Sequence, residues 1–370
     1  MAKHAAAPAP KAPAPKKAPP SKKKRRRKGL VITLVTLLAI FGVCITAVGI
    51  LLNQFDYQHD NSYKEGKSDE QLNEDLGITN TTLTKKVVNI ALFGVDSRSK
   101  TSFKGNSDSI MIISIDQIHN KIKLTSVMRD TLVLLPDNKG YSKINAAFAK
   151  SPDFAIKTLN QCFNLNIRDY AVVNFVGMAD IIDALGGIEV DVTESERQNA
   201  NIHIGSMSKE VGTPNTPIKK AGKQTLNGAQ AVAWARIRYV QTADGVRDDY
   251  GRTDRQRYVM EQLFNKALSA GVSQYPSLIK ALLPYTQTSL SYTDILSLAG
   301  ILTGGVSFEQ SRIPLTEYVI SGGFYDRTGN STVYYNLEYA GKVLHAFVYD
   351  DIAPEEYIKQ NGVDKTRWAG

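Results

Sequence analysis

Asp96, Asp108 and Arg129 stand at or beside the ends of three β-rich runs, and six further arginines (Arg236, Arg238, Arg247, Arg252, Arg255 and Arg257) crowd into 22 positions downstream. The first run, 87–95, ends at Asp96, with Arg98 two positions on. Asp108 opens the second run, and Arg129-Asp130 closes the third. In α/β sheets, ligands gather beyond the carboxyl ends of strands, which is where Asp96 and Arg129 fall. Arginine offers a planar, permanently charged fork that matches phosphate oxygens. Several converging arginines suit a polyanion such as a pyrophosphate. Paired aspartates suit Mg²⁺, a hard cation held by one or two carboxylates plus phosphate oxygens. Together such groups stabilise charge on a departing phosphate. Thr253 with Gln256 three positions later has the pattern of a capping box, and a helix starting there would turn its N-terminal amides toward the same anion.

Each of these features also has a plainer reading. Asp96-Ser97-Arg98 and Gly105-Asn106-Ser107-Asp108 are both turn-like. Arg129-Asp130 reads equally as a local ion pair. The later arginines alternate with Asp244, Asp248, Asp249 and Asp254, so part of that run reads as a self-neutralised solvated loop. Gln256 would then be only the capping partner of Thr253.

The elements that must position these residues mix strand and helix throughout. Strands are expected at 87–95, 110–115, 122–127, 170–175 and 188–192, the second and third joined as a hairpin. Helices are expected at 145–163, 177–185, 226–237, 253–270, 276–285 and 292–303. Residues 195–222 are polar and rich in Gly, Ser and Pro, and read as a surface excursion. Late β segments are expected at 311–320, 332–338 and 342–349. The pattern predicts one α/β domain whose helices cover a largely buried sheet.

Upstream, 29–52 contains no charged residue in 24 positions and is preceded by Lys22-Lys-Lys-Arg-Arg-Arg-Lys28. That length crosses the ~30 Å bilayer core as one helix, and the flanking positive charge stays cytoplasmic. A signal-peptide core is shorter, about 7–15 residues. The chain therefore reads as a disordered basic tail (1–28), a transmembrane helix (29–52), a stalk (53–85) and an extracellular catalytic domain (86–370). The expected place is the cell membrane, single-pass, with the N-terminus inside.

The net charge of +9 belongs to the tail. Its first 28 residues hold 8 Lys, 3 Arg and no acid, so the remaining 342 carry −2. This removes the nucleic-acid reading that the overall charge invites. The tail serves topology and, near the bilayer, anionic headgroups. Of two cysteines, Cys44 falls in the membrane segment and Cys162 in the outer domain, so no disulfide and no Cys-based metal site is available. Any metal must have oxygen ligands.

Ordered blocks over 86–270 give the chain a recognisable likeness. These include Asn89-Ile-Ala-Leu-Phe-Gly-Val-Asp-Ser-Arg98, Ser107-Asp-Ser-Ile-Met-Ile112, Ser126-Val-Met-Arg-Asp-Thr131, Lys143-Ile-Asn-Ala-Ala-Phe148, Ala235-Arg-Ile-Arg-Tyr239 and Gly251-Arg-Thr-Asp-Arg-Gln256. In order and spacing they resemble the LytR-CpsA-Psr family of Gram-positive cell-envelope proteins. The resemblance implies an α/β/α sandwich around a central mixed β-sheet. It implies a phosphotransferase that moves a glycopolymer, such as wall teichoic acid or capsular polysaccharide, from a polyprenyl-pyrophosphate carrier to peptidoglycan. A phosphodiester link forms and polyprenyl phosphate leaves. Carried over, Asp96 and Asp108 would bind Mg²⁺ (or Mn²⁺). Arg129, Arg236, Arg238 and Arg252 would hold the pyrophosphate beside Gln256, with Lys143 a further phosphate contact. Arg98 would orient Asp96 or touch the phosphate, and Asp96 could double as general base. The lipid tail would lie between the sheet and apolar helices.

The chain departs from the family's pattern at Asn106, where arginine is common, at Met128, where proline is frequent, and in the acidic 240–250 loop. Two other readings stand beside the transferase. One is a polyprenyl-pyrophosphate binding or hydrolysing protein without transfer. The other is a membrane-bound transcription regulator, which would need a DNA-binding domain in a 28-residue tail that shows no helix-turn-helix pattern.

Overall fold

Along the strand that leads to Asp96, alternate residues serve two different cores. Ala91, Phe93 and Val95 join one cluster, while Ile90 joins another with Val88 and Leu92 packed against it. That period of two marks a strand buried on both faces. The computed structural model describes residues 58–97, 102–270, 272–301, 305–322, 324–326 and 328–367. The tail and membrane segment expected over 1–52 lie outside the described residues, as does Arg98. Among the described residues no helix is long and apolar enough to cross a membrane.

In chain order the elements are β1 (Gln58–His59), α1 (Asp69–Asp75), β2 (Val87–Val95), β3 (Ser107–Asp116), β4 (Lys121–Val127), β5 (Leu132–Leu135), β6 (Gly140–Lys143), α2 (Pro152–Phe163), β7 (Asp169–Asn174), α3 (Phe175–Ala184), β8 (Ile188–Val192), α4 (Glu194–Val211), β9 (Gly222–Leu226), α5 (Gly228–Ala235), α6 (Asp248–Ala270), α7 (Tyr275–Leu282), β10 (Thr286–Thr288), α8 (Tyr292–Ile301), β11 (Ser307–Ile313), α9 (Leu337–Tyr349) and α10 (Pro354–Asn361). Seven strands form a mixed sheet in the order β1-β10-β7-β2-β3-β4-β11. β2 runs parallel to β7 and antiparallel to β3. β3 and β4 form the expected hairpin. Two small antiparallel pairs, β5–β6 and β8–β9, stand apart from it.

Helices cover both faces. On one, Ile156, Leu159 and Phe163 of α2 and Val343, Leu344 and Phe347 of α9 pack with Phe93 and Ile112. On the other, Ile181 and Ile182 of α3 share a core with Val259 and Leu263 of α6, and Phe264 packs against Ile90, Ile115 and Ile122. The mixed α/β architecture around a central mixed sheet is thus the one expected. In the segment read as a stalk, Leu72, Leu76 and Ile78 are buried in the main core, and β1 pairs with β10.

Four local expectations are corrected. Residues 194–211 form the helix α4 rather than a surface excursion, started by a capping box between Thr193 and Glu196. Residues 342–349 are helical, not a strand. Asn336 caps α9, and Tyr339, Ala340, Val343, Leu344, Phe347 and Val348 recur at helical spacing on its buried side. The long helix α6 begins at Asp248, not Thr253. Thr253 lies inside it and donates its hydroxyl to the Asp249 carbonyl at 2.8 Å, so the helix N-terminal amides are not at Thr253. The segments 314–320 and 332–336 form only isolated bridges, a 3₁₀ turn and coil, with Val319 opposite Tyr335.

Candidate active site

Asp96 and Asp108 reach one place because β2 and β3 are antiparallel neighbours. The register runs through Gly94↔Ser109 to Val95↔Ser107, so the residue leaving β2 and the second residue of β3 emerge at the same sheet end. Both aspartates line a polar cavity of about 320 Å³ with Arg236, Arg238, Arg252 and Gln256. Arg236 is delivered by the C-terminus of α5, and Arg252 and Gln256 by the first turns of α6. Arg236 lies over the Phe175 ring at 4.3 Å, and its Nη2 is 3.4 Å from Asp96 Oδ2. Six of the expected site residues therefore converge.

The remaining expectations fare differently. Arg129 does not itself line the cavity but pairs with residues around it. Its Nη1 donates to Asp108, and its Nε lies 3.3 Å from Asp249. Burial opposes its charge, but Asp249, Asp108 and Asp130 prevail and raise its pKa. Lys143 does not line the cavity; its Nζ is paired with Asp130 at 2.8 Å. Arg255 is not a ligand group at all. It is 1% exposed, bonded to Glu196 at 2.9 Å and to the Ile237 and Val240 carbonyls, and fastens α6 to α4. Arg257 shares Asp254 with Arg312.

Sequence reasoning missed Asp249 as a site residue. It stands on the first turn of α6, and three guanidinium groups converge on it: Arg252 at 2.8 Å, Arg129 at 3.3 Å and Arg238 at 3.6 Å. Arg129, Arg236, Arg238 and Arg252 are met by Asp96, Asp108 and Asp249, with Asp130 paired to Lys143, so one positive charge stays uncancelled. Burial, aided by Arg129 and Arg238 and opposed by Asp249, pulls the Arg252 guanidinium down to about 10. Its Nε is buried with no hydrogen-bond partner among the described residues. An unsatisfied, desolvated donor beside excess positive charge is a built place for an anion. The signal for Asp249 was its position three residues before Arg252, which places both on one helix face.

A second cavity of about 420 Å³ adjoins the first. Leu92, Met111 and Ile113 of the sheet form its floor, and Met178, Val259, Met260, Leu263 and Phe264 form its walls. A Cβ at Gly94 would come within 2.9 Å of Ser109 Cβ, so glycine lets these two residues of β2 and β3 lie close together in the apolar cavity's lining. Phe175, Arg236 and Gln256 line both spaces. The result is a cationic chamber joined to an apolar one.

The sequence profile of the LytR_cpsA_psr family matches residues 50–340. The chain belongs to this family. It is 30% identical over 324 residues to the polyisoprenyl-teichoic acid–peptidoglycan teichoic acid transferase TagU of Oceanobacillus iheyensis, covering 84% of this chain and 90% of TagU. It is 29% identical over 271 residues to the Bacillus subtilis transferase of the same description, TagV, covering 71% of this chain but only 65% of TagV. The family fold is also that of TagT (YwtF) solved with bound octaprenyl pyrophosphate lipid. That structure aligns with a TM-score of 0.51 at 21% identity, over 78% of this chain and 96% of TagT.

The donors present also suit the metal that the family resemblance implies. Asp96 and Asp108 are two carboxylates on one cavity wall, and no third Asp or Glu lines the polar cavity among the described residues. An oxygen-only pair completed by phosphate oxygens matches Mg²⁺ better than a metal needing a full protein cage.

Proposed function

We propose that this chain is a membrane-anchored phosphotransferase that moves a glycopolymer from a polyprenyl-pyrophosphate carrier to peptidoglycan. The observation that carries this reading is the pair of joined cavities. A polyprenyl pyrophosphate is a dianionic head on a long hydrocarbon, and here a cationic chamber opens on an apolar one through Phe175, Arg236 and Gln256. The transferase descriptions of TagU and TagV and the lipid bound to TagT support it.

In this reading Arg236, Arg238 and Arg252 hold the pyrophosphate oxygens, and Arg252 Nε gains the partner it lacks. Arg129 holds Asp108 in place and adds positive field. Gln256 stands at the seam between head and tail. Asp96 and Asp108 would hold Mg²⁺, which supplies charge neutralisation at the transferring phosphoryl group. An acceptor hydroxyl forms the new bond to the glycan-bearing phosphorus, and polyprenyl phosphate departs into the arginine-lined chamber. The apolar 29–52 segment anchors the chain, with the catalytic domain outside the cell.

The test uses the full chain in nanodiscs with a synthetic polyprenyl-pyrophosphate glycan, peptidoglycan oligomers and Mg²⁺. Mass spectrometry should find a phosphodiester-linked product that disappears with chelator and in Asp96→Ala and Arg252→Ala. Free polyprenyl phosphate without linked product would replace this reading with hydrolysis. Absence of both would reduce the arginine cluster to a structural charge network.

A further inference from the structure

One wall of the polar cavity belongs to α4, the helix that the polar 195–222 stretch concealed. Asn199, Ile202 and His203 line it there, with Tyr239 beyond the end of α5. Ile202 is 67% exposed and Tyr239 79% exposed, so two large apolar side chains stand open at the rim. His203 lies half-buried and lines the cavity together with the arginines. It makes no hydrogen bond or ion pair with any described residue. The carboxylates around it are committed: Asp96 to Arg236, Asp108 to Arg129, and Asp249 to three arginines. Metal binding would commit Asp96 and Asp108 further. Among the described residues lining this cavity, the imidazole is the uncommitted base.

We infer that His203 and Tyr239 form the acceptor subsite: a sugar ring of the acceptor rests on Tyr239, and its attacking hydroxyl gives its proton to His203. This rests on the transferase reading above. The acceptor oxygen forms a bond to the glycan-bearing phosphorus. The bond from that phosphorus to the bridging oxygen breaks, and its electron pair leaves with polyprenyl phosphate. The hydroxyl proton passes to a ring nitrogen of His203 and from there to water.

The electrostatics suit the task. The charged and titratable groups facing the cavity with His203 are Asp96, Asp108, Arg236, Arg238, Arg252 and Tyr239. Burial, then Arg236 and Arg238, hold the imidazole below its ordinary range. This favours the neutral imidazole, which is free to accept a proton. A pyrophosphate bound on those arginines cancels their field, so the imidazole becomes more basic when the donor is in place.

The experiment uses the full chain in nanodiscs, with the synthetic donor, peptidoglycan oligomers and Mg²⁺, and measures rates from pH 5 to 8. The wild type should lose rate toward low pH, with the midpoint in kcat at higher pH than in kcat/KM. His203→Gln should lower kcat by about 10²–10⁴-fold and abolish that acid limb, with octaprenyl-pyrophosphate affinity and melting temperature retained. Tyr239→Ala should raise the acceptor KM several-fold and leave donor affinity intact. A His203→Gln protein that keeps both kcat and the acid limb would overturn the assignment of the base. An unchanged acceptor KM in Tyr239→Ala would overturn the platform. No linked product from the wild type would remove the transferase reading and this inference with it.

Discussion

Asp249→Asn separates the cost of assembling the arginine cluster from its use. Asp249 is 20% exposed in its side chain and serves Arg252, which is only 5% exposed, at 2.8 Å. It also serves Arg129 at 3.3 Å and Arg238 at 3.6 Å. Removing one partner of a buried pair typically costs about 3–5 kcal/mol. Two features reduce that figure. Asparagine keeps one oxygen for Arg252 to bond, and partial exposure screens the loss of charge. The expected loss is roughly 2 kcal/mol, or about 3 °C in melting temperature for a domain of this size. Ligand binding should move the opposite way. A pyrophosphate takes over the counter-charge that Asp249 supplies, and it no longer has a fixed carboxylate to repel it. Scanning fluorimetry of the solubilised full chain, with and without octaprenyl pyrophosphate, reads both effects. The variant should melt lower alone and gain more from the lipid than the wild type does. A variant that melts with the wild type, or gains less from the lipid, refutes the view that Asp249 holds the empty cluster together.

Glu196→Gln should lower stability by about 3 kcal/mol, because Arg255 is left charged and buried without a counter-charge; urea unfolding measures this, and amide exchange across α4 should quicken. At Gly228 a Cβ would sit 1.9 Å from the Ala179 carbonyl oxygen, so Gly228→Ala must push α5 from α3. It should cost about 1–3 kcal/mol and weaken octaprenyl-pyrophosphate binding by displacing Arg236, and a variant with wild-type melting and affinity would count against the close crossing. Asp116 is buried against Lys123 and His119; burial alone would raise its pKa, but hydrogen bonds from Lys123 and His119 bring it down to about 2. Its folded pKa is below the unfolded value of about 3.9, so its contribution is full above that pH and fades as the pH falls toward 2. The stability gap between wild type and Asp116→Asn should hold constant from pH 7 to 5 and narrow at pH 3 in urea titrations; a constant gap at pH 3 rejects the assignment.

What the sequence revealed and what it hid share one cause: local signals report local structure only. Thr193 and Glu196 carry the same four-residue pattern as Thr253 and Gln256. The first pair begins a helix because the backbone of Thr193 is extended, with its side chain free to accept from Glu196 N. The second does not, because α6 is already running when it arrives and the Thr253 hydroxyl turns back to Asp249. The run 342–349, apolar but for Lys342 and His345, invited a strand, yet its neighbours at 339 and 340 extend a helical stripe that the shorter window cuts off. The strand ends, by contrast, were legible. Asp96 and Asp108 converge because β3 runs antiparallel beside β2, and the alternating pattern already set which face each strand buries.

The arginines show the limit most clearly. Six of them in 22 positions look alike as letters, and only packing divides them. Arg255 is structural because it points at Glu196 and two carbonyls, whereas Arg252, three residues earlier on the same helix, points at the cavity. The division follows the helix period. Arg252, Gln256, Val259, Met260, Leu263 and Ala267 lie on one side of α6, and the cavities take these residues in turn. At 1.5 Å per residue this stripe spans about 22 Å. It changes from charged to apolar at Gln256, the residue of α6 that lines both spaces. A single helix face thus grades from phosphate-binding to hydrocarbon-binding within the reach of one lipid. A polar residue placed at Met260, four residues past that seam, should shorten the apolar part and weaken octaprenyl-pyrophosphate binding, and leave binding of inorganic pyrophosphate in place.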